Sequence, residues 1–196
     1  IKKGDIRSMR KVLQLLSVVV VGIAVALMLI SPELVLIFGS PKYREAVYVI
    51  PPVAASVFFI FIYNILSMPQ FYYEKTQFLM AASMAAAGAN VVLNFIFIRL
   101  FGYIAAGYTT LACYMLYSVG HYIVSKQILV NEGIQENLMS PGFLVACSVF
   151  LIGASIICNL IFPYRILRYA ILLASAGLVF WKKELLLKTM ADIRKK

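Results

Sequence analysis

The sequence predicts an all-α integral membrane protein with six transmembrane helices, and two observations carry that prediction. The first is composition: of 196 residues, 63% are hydrophobic and 13% charged, against roughly 45–50% apolar and about 25% charged in a soluble globule. The second is layout, because the charges fall in short clusters that separate long uncharged apolar stretches. With a mean hydropathy of +0.92, a single domain of this size has too little interior to hide its apolar surface from water. A water-soluble enzyme, a disordered chain and a disulfide scaffold are excluded on these grounds. Cys113, Cys147 and Cys158 lie inside apolar runs and read as small hydrophobes. The chain opens on Ile1 with no short apolar leader and cleavage site after it, so the expectation is a piece of a longer polypeptide.

A helix needs about 20 predominantly apolar residues to cross ~30 Å of hydrocarbon. Five uncharged stretches meet that length: Val12 to Pro32, Ala46 to Tyr73, Thr76 to Ile98, Leu100 to Ser125, and Asn137 to Tyr164. A sixth, Tyr169 to Phe180, has 12 uncharged residues; it counts as a span if Arg168 and Lys182 snorkel outward and Trp181 sits at the interface. The runs are too long and too continuously apolar for the alternating strands of a membrane barrel. Turn residues agree with these limits. Ser31-Pro32 is expected to close the first span, Phe101-Gly102 to divide the third from the fourth, and Ser140-Pro141-Gly142 to precede the fifth. Pro51-Pro52 inside the second span and Pro69 near its end predict a bent or interrupted helix whose freed carbonyls need partners. The resulting organisation is a lead-in over 1–11, a four-helix core over 12–127, a loop over 128–141, two further helices over 142–182 and a basic tail over 183–196. The longest polar connection is expected from Lys126 to Ser140.

The net charge of +10 speaks to topology rather than to nucleic acid, which is not an expected partner. Six crossings put both ends on one side. That side then carries 13 basic residues, counting Lys75 and Lys126, against five on the other (Lys42, Arg44, Arg99, Arg165 and Arg168). Basic excess marks the cytoplasmic side, so both ends are placed there. The tail is either a basic interfacial helix on anionic lipid or a solvated charge run.

Catalytic chemistry has no support in the residues. Between Lys11 and Lys182 the acids are Glu33, Glu45, Glu74, Glu132 and Glu136, all expected outside the helices. His121, the only histidine, has no Cys, Asp or second His near it in sequence, so neither a metal site nor a catalytic triad assembles, and no cofactor is expected. What the sequence does contain is uncharged polarity in stripes. Ser56, Tyr63, Ser67 and Gln70 share one face of the second helix, with Asn64 beside it. Ser83, Asn90 and Asn94 share a face of the third, and Tyr103, Gly107, Thr110, Tyr114, Tyr117 and His121 a face of the fourth. An Asn amide facing lipid would leave donors and an acceptor unpaired at several kcal/mol, so the stripes should point into the bundle or a wet cavity. The same groups also serve as ordinary glue between membrane helices. Arg99, ending the third span, either snorkels to the headgroups or meets an anionic headgroup or pyrophosphate.

These residues carry a resemblance. Ser31-Pro32-Glu33-Leu34 with Ile37-Phe38-Gly39, then Tyr43 and Ala46, resembles a segment that follows a membrane helix in bacterial polysaccharide flippases of the Wzx type. Asn90-Val91-Val92-Leu93-Asn94, then Phe101-Gly102-Tyr103-Ile104-Ala105-Ala106-Gly107-Tyr108-Thr109-Thr110 and Tyr114, is similar to a second pattern of that family, and Lys3-Gly4-Asp5 to its cytoplasmic lead-in. The likeness covers about Lys2 to Lys126; the last two helices resemble the extra pair of fourteen-helix members in number and hydropathy. The chain departs from many members in lacking a proline near Arg99 and in having Ala106 in place of a glycine.

The resemblance implies a transporter of the multidrug, lipid-linked oligosaccharide and polysaccharide superfamily, built of two six-helix lobes around a central cavity. This chain would be most of the second lobe, with a missing N-terminal lobe as its partner. The expected cargo is an undecaprenyl-diphosphate-linked oligosaccharide carried across the bacterial inner membrane. The residues expected along its path are Tyr63, Asn64, Asn90, Asn94, Arg99, Thr110, Tyr114, Tyr117 and His121. Any ion-coupling acid is expected in the missing half. A multidrug or cation exporter of the same superfamily and a non-transporting membrane scaffold are the alternatives.

Overall fold

The computed structural model describes residues 3–181, and every element among them is helical. In order these are α1 (Lys3–Phe38), a 3-10 segment (Pro41–Tyr48), α2 (Ile50–Tyr72), α3 (Gln77–Phe101), α4 (Ala105–Asn131), α5 (Pro141–Ile161) and α6 (Arg165–Trp181). The basic tail over 183–196, and Lys182 with it, lie outside the described residues.

Four helices, α1, α2, α3 and α5, are long and apolar enough to cross a membrane. α6 has 17 residues, short of the ~20 a crossing takes. α4 is long, at 27 residues, but Gly, Thr, Ser, Tyr and His dilute its hydropathy. Large apolar side chains cover the outside: Met84 is 77% exposed, Leu116 71% and Ile166 87%. Such a surface suits hydrocarbon and not water.

Four sequence expectations fail on proline and charge. α1 does not stop at Ser31-Pro32; it runs on to Phe38 with Pro32 inside it. Pro32 has no N–H for the carbonyl of Met28, four residues back, but the Ser31 hydroxyl donates to that carbonyl at 2.8 Å and fills the gap. Glu33 therefore lies within a helix, against the expectation that no acid between Lys11 and Lys182 does. Pro51 and Pro52 do not interrupt a span that starts at Ala46. They sit in the first turn of α2, where a missing N–H costs nothing, and the residues before them form the separate 3-10 segment. Arg168 does not snorkel outward; its side chain is 3% exposed and turned onto Glu33 of α1. Two boundaries also shift. The lead-in is helical from Lys3, and α4 continues to Asn131, which shortens the polar connection to residues 132–140.

The turn at Phe101-Gly102 is where it was expected. Gly102 has φ +78° and ψ 179°, a conformation open essentially to glycine, and it reverses the chain from α3 into α4. Tyr103 consequently precedes α4 rather than lying on its face. The break before α5 at Ser140-Pro141 also holds.

α2 is the centre of the bundle, packed on α4, α1 and α5. Its Ala55, Phe58, Ile62 and Leu66 meet Ala24 and Met28 of α1, Leu111 and Leu129 of α4 and Leu151 of α5 in one core. Gly107 brings α4 closest: a Cβ there would lie 2.9 Å from the Pro52 ring and 3.0 Å from the Val49 carbonyl. α3 packs mainly on α4 and buries no residue. Cys113 and Cys158 are buried, Cys147 half-buried, and all three are free thiols.

Polar contacts gather at two opposite ends. At one, Arg10 Nε donates to the Asn137 carbonyl at 2.9 Å, and Lys75 lies 3.5 Å from Glu132. At the other, Glu33 meets Arg168, the rings of Tyr48 and Phe162 lie 5.7 Å apart, and Tyr103 donates to Glu45 at 3.5 Å. Desolvation, and then the Glu45 carboxylate beside it, push the Tyr103 phenol above its ordinary pKa.

Candidate functional site

The polar stripes of α2, α3 and α4 converge on one groove of about 450 Å³. Tyr63 enters it from α2, Ser83 and Asn90 from α3, and Thr110, Tyr114 and Tyr117 from α4. Helical spacing does this: offsets of three, four and seven keep each set on one face, and the faces meet because α3 folds back on α4 at Gly102.

An aromatic wall forms one side. The rings of Tyr63 and Tyr114 are nearly parallel, 4° apart with centroids at 6.3 Å, and Tyr117 tilts against Tyr63 at 4.6 Å. The Tyr117 hydroxyl shares a hydrogen bond with Ser83 Oγ at 2.6 Å. Amides and hydroxyls form the other side. Asn94 Nδ2 donates to Asn90 Oδ1 at 2.9 Å, Asn90 Nδ2 reaches Thr110 Oγ1 at 3.5 Å, and the Thr109 hydroxyl lies 2.5 Å from Asn94 Oδ1. Both asparagines are half-buried.

Of the nine residues expected on the path, the groove brings together Tyr63, Asn90, Thr110, Tyr114 and Tyr117. Asn94 stands behind Asn90 as its hydrogen-bond partner. His121 is fully buried beneath the aromatic wall, its ring 4.5 Å from that of Tyr117 and 5.8 Å from that of Tyr63. Gln70 Nε2 lies 2.7 Å from His121 Nδ1, while Gln70 Oε1 and His121 Nε2 are buried with no partner among the described residues. Asn64 and Arg99 lie elsewhere. Asn64 is exposed and bonds the Ile60 carbonyl of its own helix at 2.7 Å. Arg99, in the last turn of α3, stacks its guanidinium on Phe95 at 3.8 Å.

Sequence reasoning passed over Thr109, which ties the α4 backbone to Asn94, since Thr110 alone fell in register with the stripe. It also passed over the pairing of Gln70 with His121, 51 residues apart, which no local spacing signals.

Chemically the groove offers phenols, amides and hydroxyls beside alanines and Cys113. Such a lining can replace the water around a neutral polar solute, and it contains no acid–base pair. Among the described residues no group of three His, Cys, Asp or Glu could hold a metal ion. Comparison of the chain with protein-family models, with characterised proteins and with solved structures finds no match in any of the three.

Proposed function

We propose that this chain is most of the second lobe of a flippase that moves undecaprenyl-diphosphate-linked oligosaccharide across a bacterial inner membrane. The observation that supports this best is the polar groove between α2, α3 and α4, lined by uncharged hydrogen-bonding groups and stacked tyrosines in an otherwise apolar bundle. Moving several sugars past hydrocarbon requires a path that replaces their water with donors and acceptors, while the lipid tail stays in the bilayer. The residues lining the groove include no cation for the pyrophosphate, and Arg99 lies outside it in the last turn of α3. The missing N-terminal lobe would cover the groove's open side.

In this reading all six helices cross. α4, about 40 Å long at 1.5 Å per residue, runs back along α3. α6, about 26 Å by the same rise, crosses with its polar start held at Glu33. Both chain ends then share a side, and the basic excess of 13 over five makes that side cytoplasmic.

A scaffold reading draws support from one observation: the Asn94, Asn90 and Thr109 side chains bond one another, as interhelical glue would. Asn90→Leu and Asn94→Leu in the full-length protein separate the two. Transport predicts accumulation of lipid-linked sugar on the cytoplasmic face at unchanged protein level; a scaffold predicts little loss of function.

A further inference from the structure

A second groove, of about 430 Å³, opens on the other face of α4. Phe58 and Ile62 of α2 form its floor, Val119 and Tyr122 of α4 one wall, and Leu144 and Val149 of α5 the other. α4 and α5 both pack on α2 but hardly on one another. They are tied beyond the groove, where Asn159 Nδ2 donates to the Tyr108 hydroxyl at 2.9 Å. The serine hydroxyls at the groove are already engaged within their own helices, Ser118 to the Met115 carbonyl and Ser148 to the Leu144 carbonyl, each at 2.8 Å. A space of this polarity does not hold water, and a hydrocarbon chain entering it leaves none of these hydroxyls unpaired.

Length and charge define the occupant. The α5 wall runs from Pro141 to Ile152, about 16 Å at 1.5 Å per residue. That is close to the roughly 15 Å that one leaflet contributes to a hydrocarbon core ~30 Å thick. Lys126 follows Tyr122 by four residues and Val119 by seven, so it shares their face. It is exposed, and among the described residues no carboxylate pairs with it. The groove reaches this end of the bundle, the one carrying Arg10 and Lys75. In the proposed topology it abuts the cytoplasmic leaflet, which is rich in anionic lipid.

We propose that this groove binds one acyl chain of an anionic phospholipid, with Lys126 against the lipid phosphate. The proposal rests on the reading that the chain spans a bilayer. Its test is photocrosslinking of the full-length protein with a benzophenone amino acid at Val149, and in a control at Val92 on the exposed face of α3. The protein is placed in phosphatidylcholine vesicles containing a minor share of phosphatidylglycerol, and the adducts are identified by mass. At Val149 phosphatidylglycerol should be enriched roughly fivefold over its share, the factor one basic side chain near the surface contributes, and Lys126→Gln should remove the enrichment. At Val92 the adducts should follow bulk composition. Phosphatidylglycerol at its bulk share at Val149, or lipid at Val92 and none at Val149, would overturn the site. A polyprenyl-diphosphate adduct at Val149 in native membranes would assign the groove to a different lipid and overturn it too. Lipid at neither position would remove the membrane reading and the proposal with it.

Discussion

The guanidinium of Arg168 binds both carboxylate oxygens of Glu33, Nη1 to Oε2 and Nη2 to Oε1, each at 2.8 Å. Nη1 also donates to the Leu29 carbonyl at 2.7 Å, and the Tyr169 hydroxyl donates to Glu33 Oε1 at 2.9 Å. The two-pronged geometry suits a planar guanidinium on a carboxylate, and it joins the start of α6 to the last turns of α1. α6 packs only lightly on α1 and α5, so this pair is its main anchor.

Removing one partner leaves the other charge stranded, and for a buried pair that costs 3–5 kcal/mol. With the Glu33 side chain 21% exposed, we expect the lower end, about 3 kcal/mol, for Glu33→Gln or Arg168→Met. The double variant Glu33→Leu/Arg168→Met should recover more than half of that loss, because no charge remains to be buried. Thermal unfolding of the purified chain in detergent measures it. Additive losses in the double variant would show that the pair does not act as a unit.

The buried contact of Gln70 with His121 yields a prediction of opposite design. His121→Phe keeps a ring among Tyr63, Phe78 and Tyr117 but leaves the Gln70 amide with no buried partner, at a cost of about 1–3 kcal/mol. Adding Gln70→Met removes the stranded amide, so that both atoms that already lack partners, Gln70 Oε1 and His121 Nε2, are gone from the double variant, and it should restore stability to near the starting value. A double variant less stable than His121→Phe alone would contradict this.

Ser31 makes Pro32 tolerable inside α1. Ser31→Ala leaves the Met28 carbonyl without a donor in a buried place, and we expect a loss of about 1 kcal/mol. The same change at Ser17, whose hydroxyl bonds the Leu13 carbonyl at 2.7 Å, should cost less, since no proline follows it to remove the backbone donor. Equal losses at the two serines would dismiss the role given to Ser31.

The helical class and most turns were legible in the sequence because they follow from composition and from single residues: a charge ends an apolar run, and Gly102 permits the one backbone state that reverses α3 into α4. The convergence of Tyr63, Asn90, Thr110, Tyr114 and Tyr117 was legible because helical spacing is local. Pro32 was misread because a serine hydroxyl bonding back three residues takes the place of the missing N–H, and Arg168 because its partner lies 135 residues away. Asn64 was placed on the path by its neighbours in sequence, yet it falls one step round the helix and bonds its own backbone. Spacing along one helix cannot tell which of two adjacent faces a second helix will cover.

The proposed function requires an antiparallel six-fold threading of the bilayer, and cysteine accessibility in intact cells tests it most directly. With Cys113, Cys147 and Cys158 replaced by alanine, single cysteines are introduced at the exposed positions Ser40, Glu74, Tyr103, Gln135 and Tyr164. A membrane-impermeant maleimide should label positions 40, 103 and 164 from outside, and positions 74 and 135 only after permeabilisation. Labelling of 103 and 135 from the same side would mean that α4 does not cross, and the polar groove between α2, α3 and α4 would lose its place inside the membrane.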